Sequence, residues 1–366
     1  MTPDIASRSE SVRVSTIELF FDLVFVFTIT QVTHLVAHVA NFWELGRAFL
    51  VLALIWWMFS AYAWLTNSTR PGHFIRFVMI AAMGGFLVMA LAVPKVFGES
   101  GVMFALAYLF VILLHTVAFV VTGGRAAWKG MLEVGPFNLG AGLLVFLAGV
   151  SVTEWKWALF LCAVLLLVTA TVFRRERRFT LRPDHFAERH GAVMLIALGE
   201  SVVAIGNGAA DLALDAHTVG AVLLSLVLIA ALWWSYFDRD DERAEHSMRT
   251  LSGAARARVG VIGYWYSHLV MLAGIVLLAA ALKELVAEGL DAPLWSAWVL
   301  ASGAACYLAG DVLFRGVLGI RPLLYRAAAA VLAIPLGAIG GVPELALLAL
   351  LLVAMLSVEH FTAPAR

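Results

Sequence analysis

Two carboxylates are the first residues whose type and spacing point to chemistry. Glu18 and Asp22 stand four residues apart in the apolar run IELFFDLVFVF. On a helix that spacing puts both on one face. Two neighbouring carboxylates in a poor dielectric do not readily both stay ionised, so the pair suits proton uptake or cation binding. The structural alternative is a pair held by arginines of another segment or by helix N-termini. A second cluster runs from Asp184 to Ser201, as DHFAERHG followed by LIALGES. His185, Glu188, Arg189 and His190 crowd its first turns, and Glu200 lies deeper. Eleven residues separate Arg189 from Glu200, close to three helical turns, so both point nearly the same way but about 16 Å apart along the axis. Glu200 therefore needs a partner elsewhere. Arg189 is expected to neutralise Glu188, Glu18 or Asp22. These seven residues form the candidate proton-, ion- or substrate-binding set.

Other polar residues are secondary. His115, His268 and Asp311 are single polar groups in apolar runs, and Asp311 and His115 are expected to face each other across an internal symmetry axis. His34 and His38 have metal-compatible i, i+4 spacing, but no HExxH or second ligand pair accompanies them, so they read as interfacial residues. Cys162 and Cys306 sit in apolar runs and indicate neither a disulfide framework nor a zinc site. The stretch Asp238 to Glu242 reads as a solvated helix end. No P-loop, GxSxG or CxxC motif is found. The sequence predicts no metal and no cofactor.

The elements that must position these groups follow from composition. Of 366 residues, 62% are hydrophobic and only 14% are charged, with a formal net charge of zero. Soluble domains average about 25% charged residues. A soluble core would need a charged surface that this chain cannot supply. The composition excludes an ordinary soluble enzyme, a nucleic-acid-binding module and a disordered protein. It predicts an all-α polytopic membrane protein whose partner is the lipid bilayer.

Twelve apolar runs are long enough to span: 17–38, 47–66, 75–94, 102–122, 132–150, 156–173, 185–206, 217–237, 259–282, 294–313, 323–341 and 343–361. Lys and Arg partition between alternate loops as 20 against 4, with Arg189 inside a span. By the positive-inside rule this places both termini in the cytoplasm, and the plasma (inner) membrane of a bacterium fits.

The chain also reads as two halves. IWWMFSAY (55–62) is similar to LWWSYFD (232–238), and GFLVMALAV (85–93) to SHLVMLAGI (267–275), in the same order. The expected organisation is a tail over 1–16, a six-helix repeat over 17–173, a basic linker over 174–184, a second six-helix repeat over 185–361 and a tail over 362–366. Six is even, so the repeats are parallel. Spans 5 and 11 are both interrupted, by GPFNLGAG (135–142) and IPLGAIGG (334–341), and matched broken helices point to a transport site.

STIELFFDLVFVF (15–27) together with HFAERHGAVMLIALGES (185–201) resembles the bacterial low temperature requirement protein A (LtrA) family, over about residues 11 to 360. The resemblance implies a multi-spanning membrane protein. It carries over Glu18, Asp22, His185, Glu188, Arg189, Gly199 and Glu200 as motif positions. It supplies no substrate, because the family is named for a cold-growth phenotype.

The function expected from these readings is a secondary transporter of a small solute, with coupling to protons through the buried carboxylates as its expected form. The alternatives are an integral membrane enzyme acting on a lipid or isoprenoid-like substrate, with Glu188, His190 and Glu200 as acid–base groups, and a non-catalytic sensor or scaffold.

Overall fold

A computed structural model describes residues 14–39, 41–69, 72–172, 181–289 and 292–362. Residues 174–180 of the expected linker over 174–184 and most of both tails lie outside the described residues, and Pro183 and Asp184 open a helix. All regular structure among the described residues is helical. The helices in chain order are α1 (Thr16–Ala37), α2 (Phe42–Ser68), α3 (His73–Ala92), α4 (Gly101–Arg125), α5 (Trp128–Val150), α6 (Lys156–Val172), α7 (Pro183–Ala209), α8 (Ala216–Phe237), α9 (Asp240–Thr250), α10 (Gly253–Glu288), α11 (Leu294–Leu318), α12 (Leu324–Leu336) and α13 (Gly341–Thr362).

Ten of these are long and apolar enough to cross a membrane. The outward faces carry large apolar side chains such as Phe20, Leu23, Phe77, Val331 and Leu350, a surface that suits lipid rather than water. The chain is therefore a multi-pass membrane protein. Two apolar helices are shorter, α6 and α12. With 13 residues, α12 extends only about 20 Å against a hydrocarbon core of about 30 Å. The expected run 323–341 stops at Leu336, one residue after Pro335. Gly340 and Gly341 then take positive φ values of 75° and 64°, which a residue with a Cβ adopts at a cost.

The other expected interruption, at 135–142, does not form. Pro136 lies inside helical α5 rather than breaking it. The chain turns at Gly124, at the end of α4 and within the gap expected between the runs 102–122 and 132–150, with φ 60° and ψ −147°. That conformation is open to glycine, whereas a proline in a bundle is accommodated by its neighbours.

Within the first half α1 packs on α2 and α3, α3 on α4, and α2 on α6. Within the second half α7 packs on α8 and α10, α10 on α11, and α8 on α13. Contacts between the halves run chiefly from α1 to α7 and α10. The α10–α11 contact is the most extensive, and small residues explain it. A Cβ on Gly274 would stand 2.5 Å from the Tyr307 nitrogen, and one on Gly310 would stand 2.8 Å from the Ser267 carbonyl oxygen.

Residues Gly260–Tyr266 of α10 are wound wide, as a π-helical turn, a feature that often sits at functional places. Its loosened carbonyls are claimed by nearby side chains. Ser267 donates to the Ile262 oxygen at 2.9 Å and His268 Nδ1 to the Gly263 oxygen at 3.1 Å. The indole of Trp56 donates to the Trp265 oxygen at 2.7 Å.

Candidate functional site: the Arg189 network

Arg189 is 1% exposed and ties three helices together. Its Nη1 donates to Glu18 Oε1 at 2.9 Å and to Thr66 Oγ1 at 2.6 Å. Its Nη2 donates to Asp22 Oδ1 at 3.1 Å. The guanidinium also lies 5.6 Å from the ring centres of Phe21 and Phe59, a favourable cation–π setting. Of the three partners expected for Arg189, the structure brings together two, Glu18 and Asp22. Glu188 is exposed and accepts from the Val14 backbone N–H at 3.2 Å.

Glu18 is saturated. Its Oε2 accepts from Ser15 N at 2.9 Å and Ser15 Oγ at 2.7 Å, so it also caps the start of α1. His185 Nε2 approaches Oε1 at 3.1 Å. Asp22 is not saturated: its Oδ2 is buried and has no hydrogen-bond partner, and Arg189 Nε is likewise unpartnered.

The protonation of His185 follows from Asn67. Arg182 N donates to Asn67 Oδ1 at 2.9 Å, and Asn67 Nδ2 donates to the Arg182 oxygen at 2.9 Å. These bonds fix the amide, so Nδ2 is the group facing His185 Nδ1 at 3.4 Å. A nitrogen that accepts a hydrogen bond carries no proton. His185 is therefore the neutral tautomer with its proton on Nε2, directed at Glu18. The network then holds two carboxylates, one guanidinium and a neutral imidazole, one proton short of neutrality.

Further along the same helices, Glu200 of α7 lies against Thr30 of α1. Glu18 meets Arg189 across 171 positions, and Thr30 meets Glu200 at nearly the same offset. The two helices therefore run parallel and in register. Thr28 and Ser201 on them are fully buried, and their hydroxyls have no partner.

His190 points away from this seam. Its Nδ1 donates to the Phe186 oxygen at 2.9 Å, and its ring stands 5.4 Å from His268 and 5.1 Å from Tyr264. Tyr236 OH donates to His268 Nε2 at 2.9 Å. Glu188, His190 and Glu200 do not converge on one point. His115 and Asp311 find separate partners: His115 Nε2 bonds the Ala61 oxygen at 3.1 Å, and Asp311 Oδ2 accepts from Arg326 Nη1 at 2.7 Å.

Asp311 belongs to a second buried network that the sequence reading did not assemble. Arg326 Nη1 also lies 3.1 Å from Asp240 Oδ2 and donates to the Ser235 oxygen at 2.8 Å. Its Nε donates to Glu359 Oε2 at 3.0 Å. Arg315 pairs with Asp240, Nε to Oδ2 at 3.3 Å, and with Glu359. Arg243 reaches Asp240 Oδ1 at 3.3 Å from the rim. Two expectations are corrected here. Arg189 is not the lone cation inside the bundle, because α11 extends through Arg315 to Leu318 and buries it, and the start of α12 buries Arg326. The stretch Asp238 to Glu242 is not wholly solvated, because Asp240 is 2% exposed. Asp311 and Arg315 are four residues apart, and that spacing was the available signal. This second network balances, with three carboxylates against three guanidinium groups.

Both networks lie at one end of the bundle, since α9 packs on the start of α7 and Arg256 donates to the Leu181 oxygen. Among the described residues no group of three or more His, Cys, Asp or Glu side chains is placed to hold a metal ion.

The class is thus a multi-pass helical membrane protein with two buried charge networks at one end. The model of the bacterial low temperature requirement A protein (LtrA) family matches residues 13–359, and the chain belongs to this family. It is also 24% identical over 288 residues to an uncharacterized protein of Rhizobium meliloti (strain 1021), covering 74% of this chain and 69% of that protein.

Proposed function

We propose that the protein is a secondary transporter of a small solute, coupled to protons at Asp22. The observation that carries the reading is the charge of the Arg189 network. A buried cluster one proton short of neutrality is costly in a membrane, and taking up that proton neutralises it. Asp22 Oδ2 is the open acceptor, because Glu18 is saturated and His185 is held neutral.

Proton uptake there acts on a contact between halves. Ionised Asp22 holds Arg189 of α7 to α1, and protonation weakens that bond while leaving Glu18 in place. A change of charge at a helix–helix seam can bias two arrangements of the halves. Three features support two parallel repeats. Matching helices have matching neighbours in each half. The α1–α7 seam keeps a constant offset near 170 positions. The sequence similarity between the halves runs at comparable offsets, 177 for Trp56 and Trp233 and 182 for Leu87 and Leu269. The 20-to-4 partition of Lys and Arg supports a cytoplasmic side for the network end and both termini, at an inner membrane.

The test is flux in sealed liposomes containing the purified protein, an entrapped pH dye and a mixture of small metabolites outside. An imposed pH gradient collapses faster with wild type than with empty liposomes, and Asp22→Asn abolishes the difference while the protein still folds. Equal rates for wild type and empty liposomes would favour a sensor or scaffold.

A further inference from the structure

Of the buried carboxylates among the described residues, Glu18, Asp22, Asp240 and Asp311 each touch an arginine, and Glu200 has the Thr30 hydroxyl. Glu344 has neither. It is 0% exposed, and neither of its carboxylate oxygens has a hydrogen-bond partner. It sits in the first turn of α13, just after the turn through Gly340 and Gly341. Leu345, Leu348 and Ala349 around it are buried too. The helices packed on α13 are α8, α12 and α11. Among the described residues none of them brings a hydrogen-bond partner to Glu344. The titratable groups at the start of α8 are Asp215 and His217. Asp215 is engaged as the cap of α8, accepting from Thr218 N at 2.8 Å.

An ionised carboxylate without donors or a counter-charge in apolar surroundings costs so much that the group takes a proton instead. A protonated carboxyl, by contrast, is a small neutral polar group that such a site tolerates. We infer that Glu344 is a proton-binding site, held as the neutral carboxylic acid between α13 and the helices packed on it, at the end of the bundle opposite both charge networks. Fifteen residues separate it from Glu359 on the same helix, about 22 Å along the axis. The chain thus stores protons at two depths, at Asp22 near one end and at Glu344 near the other. This inference stands on the burial of Glu344 alone and does not rest on the transport reading.

The test uses chemistry reserved for neutral carboxyls in apolar places. A membrane-permeant carbodiimide takes the acid's proton on one nitrogen while the carboxyl oxygen bonds its central carbon. The acyl group then shifts to a nitrogen, giving a stable N-acylurea with no group lost. Full-length protein in liposomes is treated near neutral pH, digested and read by mass spectrometry. The expected result is an adduct on the peptide carrying Glu344, absent in Glu344→Gln and retained in Asp22→Asn. Sodium or potassium ions do not protect it. Infrared absorption gives a reading free of reagent access: wild type shows a protonated-carboxyl band that Glu344→Gln removes. Because the amide mimics the neutral acid, Glu344→Gln folds and melts like wild type, whereas Glu344→Lys does not. An infrared spectrum in which Glu344→Gln removes only carboxylate absorption would overturn the inference. So would protection from the carbodiimide by a monovalent cation, which would make the site a cation site.

Discussion

Glu18 and Arg189 are 171 residues apart in the chain and 2.9 Å apart in space. The bond joins α1 to α7, and both side chains are buried. Its neighbours decide what it does. Glu18 has every lone-pair direction engaged, whereas Asp22, one turn along, leaves one oxygen open.

Removing the cation strands both carboxylates. Arg189→Ala is expected to cost about 3–5 kcal/mol, the range for breaking a buried pair from one side. Arg189→Lys keeps the charge but cannot reach Glu18, Thr66 and Asp22 with one planar fork, so it falls between. Thermal unfolding in detergent, followed by circular dichroism, gives the order wild type, lysine, alanine.

The two acids of the seam are expected to behave differently. Glu18→Gln removes the charge that pairs with Arg189 and weakens the cap on α1, so its melting temperature drops. Asp22→Asn still offers an oxygen to Arg189 Nη2 and removes the excess negative charge, so it melts at or above wild type. Reversed order in the same unfolding assay would assign the structural role to Asp22.

The second network is expected to serve stability without proton coupling, because its charges balance. Asp311→Asn and Arg326→Met each destabilise strongly. The double variant Asp311→Leu with Arg326→Met loses less than the sum of the singles, since contacting residues are non-additive and no lone charge remains. Where Asp311→Asn protein survives purification, its pH-gradient flux equals that of wild type.

The α10–α11 contact is expected to be intolerant of added volume. Gly274→Ala brings a methyl within 2.5 Å of the Tyr307 nitrogen and should cost about 1–3 kcal/mol, the range for overpacking. Gly199→Ala is the control, with nothing within 4 Å of the new carbon, and should leave the melting temperature unchanged.

Much of the architecture was legible because hydropathy and charge placement are long-range averages. Apolar runs of membrane length mark where helices lie, and the Glu18–Asp22 and His185–Glu200 patterns mark the seam. What stayed hidden depends on contacts that spacing within one segment does not encode. Glu188 and Arg189 are adjacent in sequence, yet helical rotation sends one to the surface and the other into the core. Asp240 reads as one acid among several at a helix end, and only the approach of α11 and α12 buries it. Glu344 stands beside Pro343 at the edge of the run 343–361, where an acid reads as a helix end, because the lack of a partner is visible only in three dimensions. The turn at Gly124 falls in the gap between the runs 102–122 and 132–150, whereas Pro136 suggests a break that the packed helix does not make.

The most direct test of the central claim is an infrared pH titration of the purified protein, wild type beside Asp22→Asn and Glu18→Gln. The account predicts a protonated-carboxyl band that grows as the pH falls in wild type and in Glu18→Gln, and a loss of that growth in Asp22→Asn alone. An unchanged titrating band in Asp22→Asn would contradict it, because the exchangeable proton would then reside on another group.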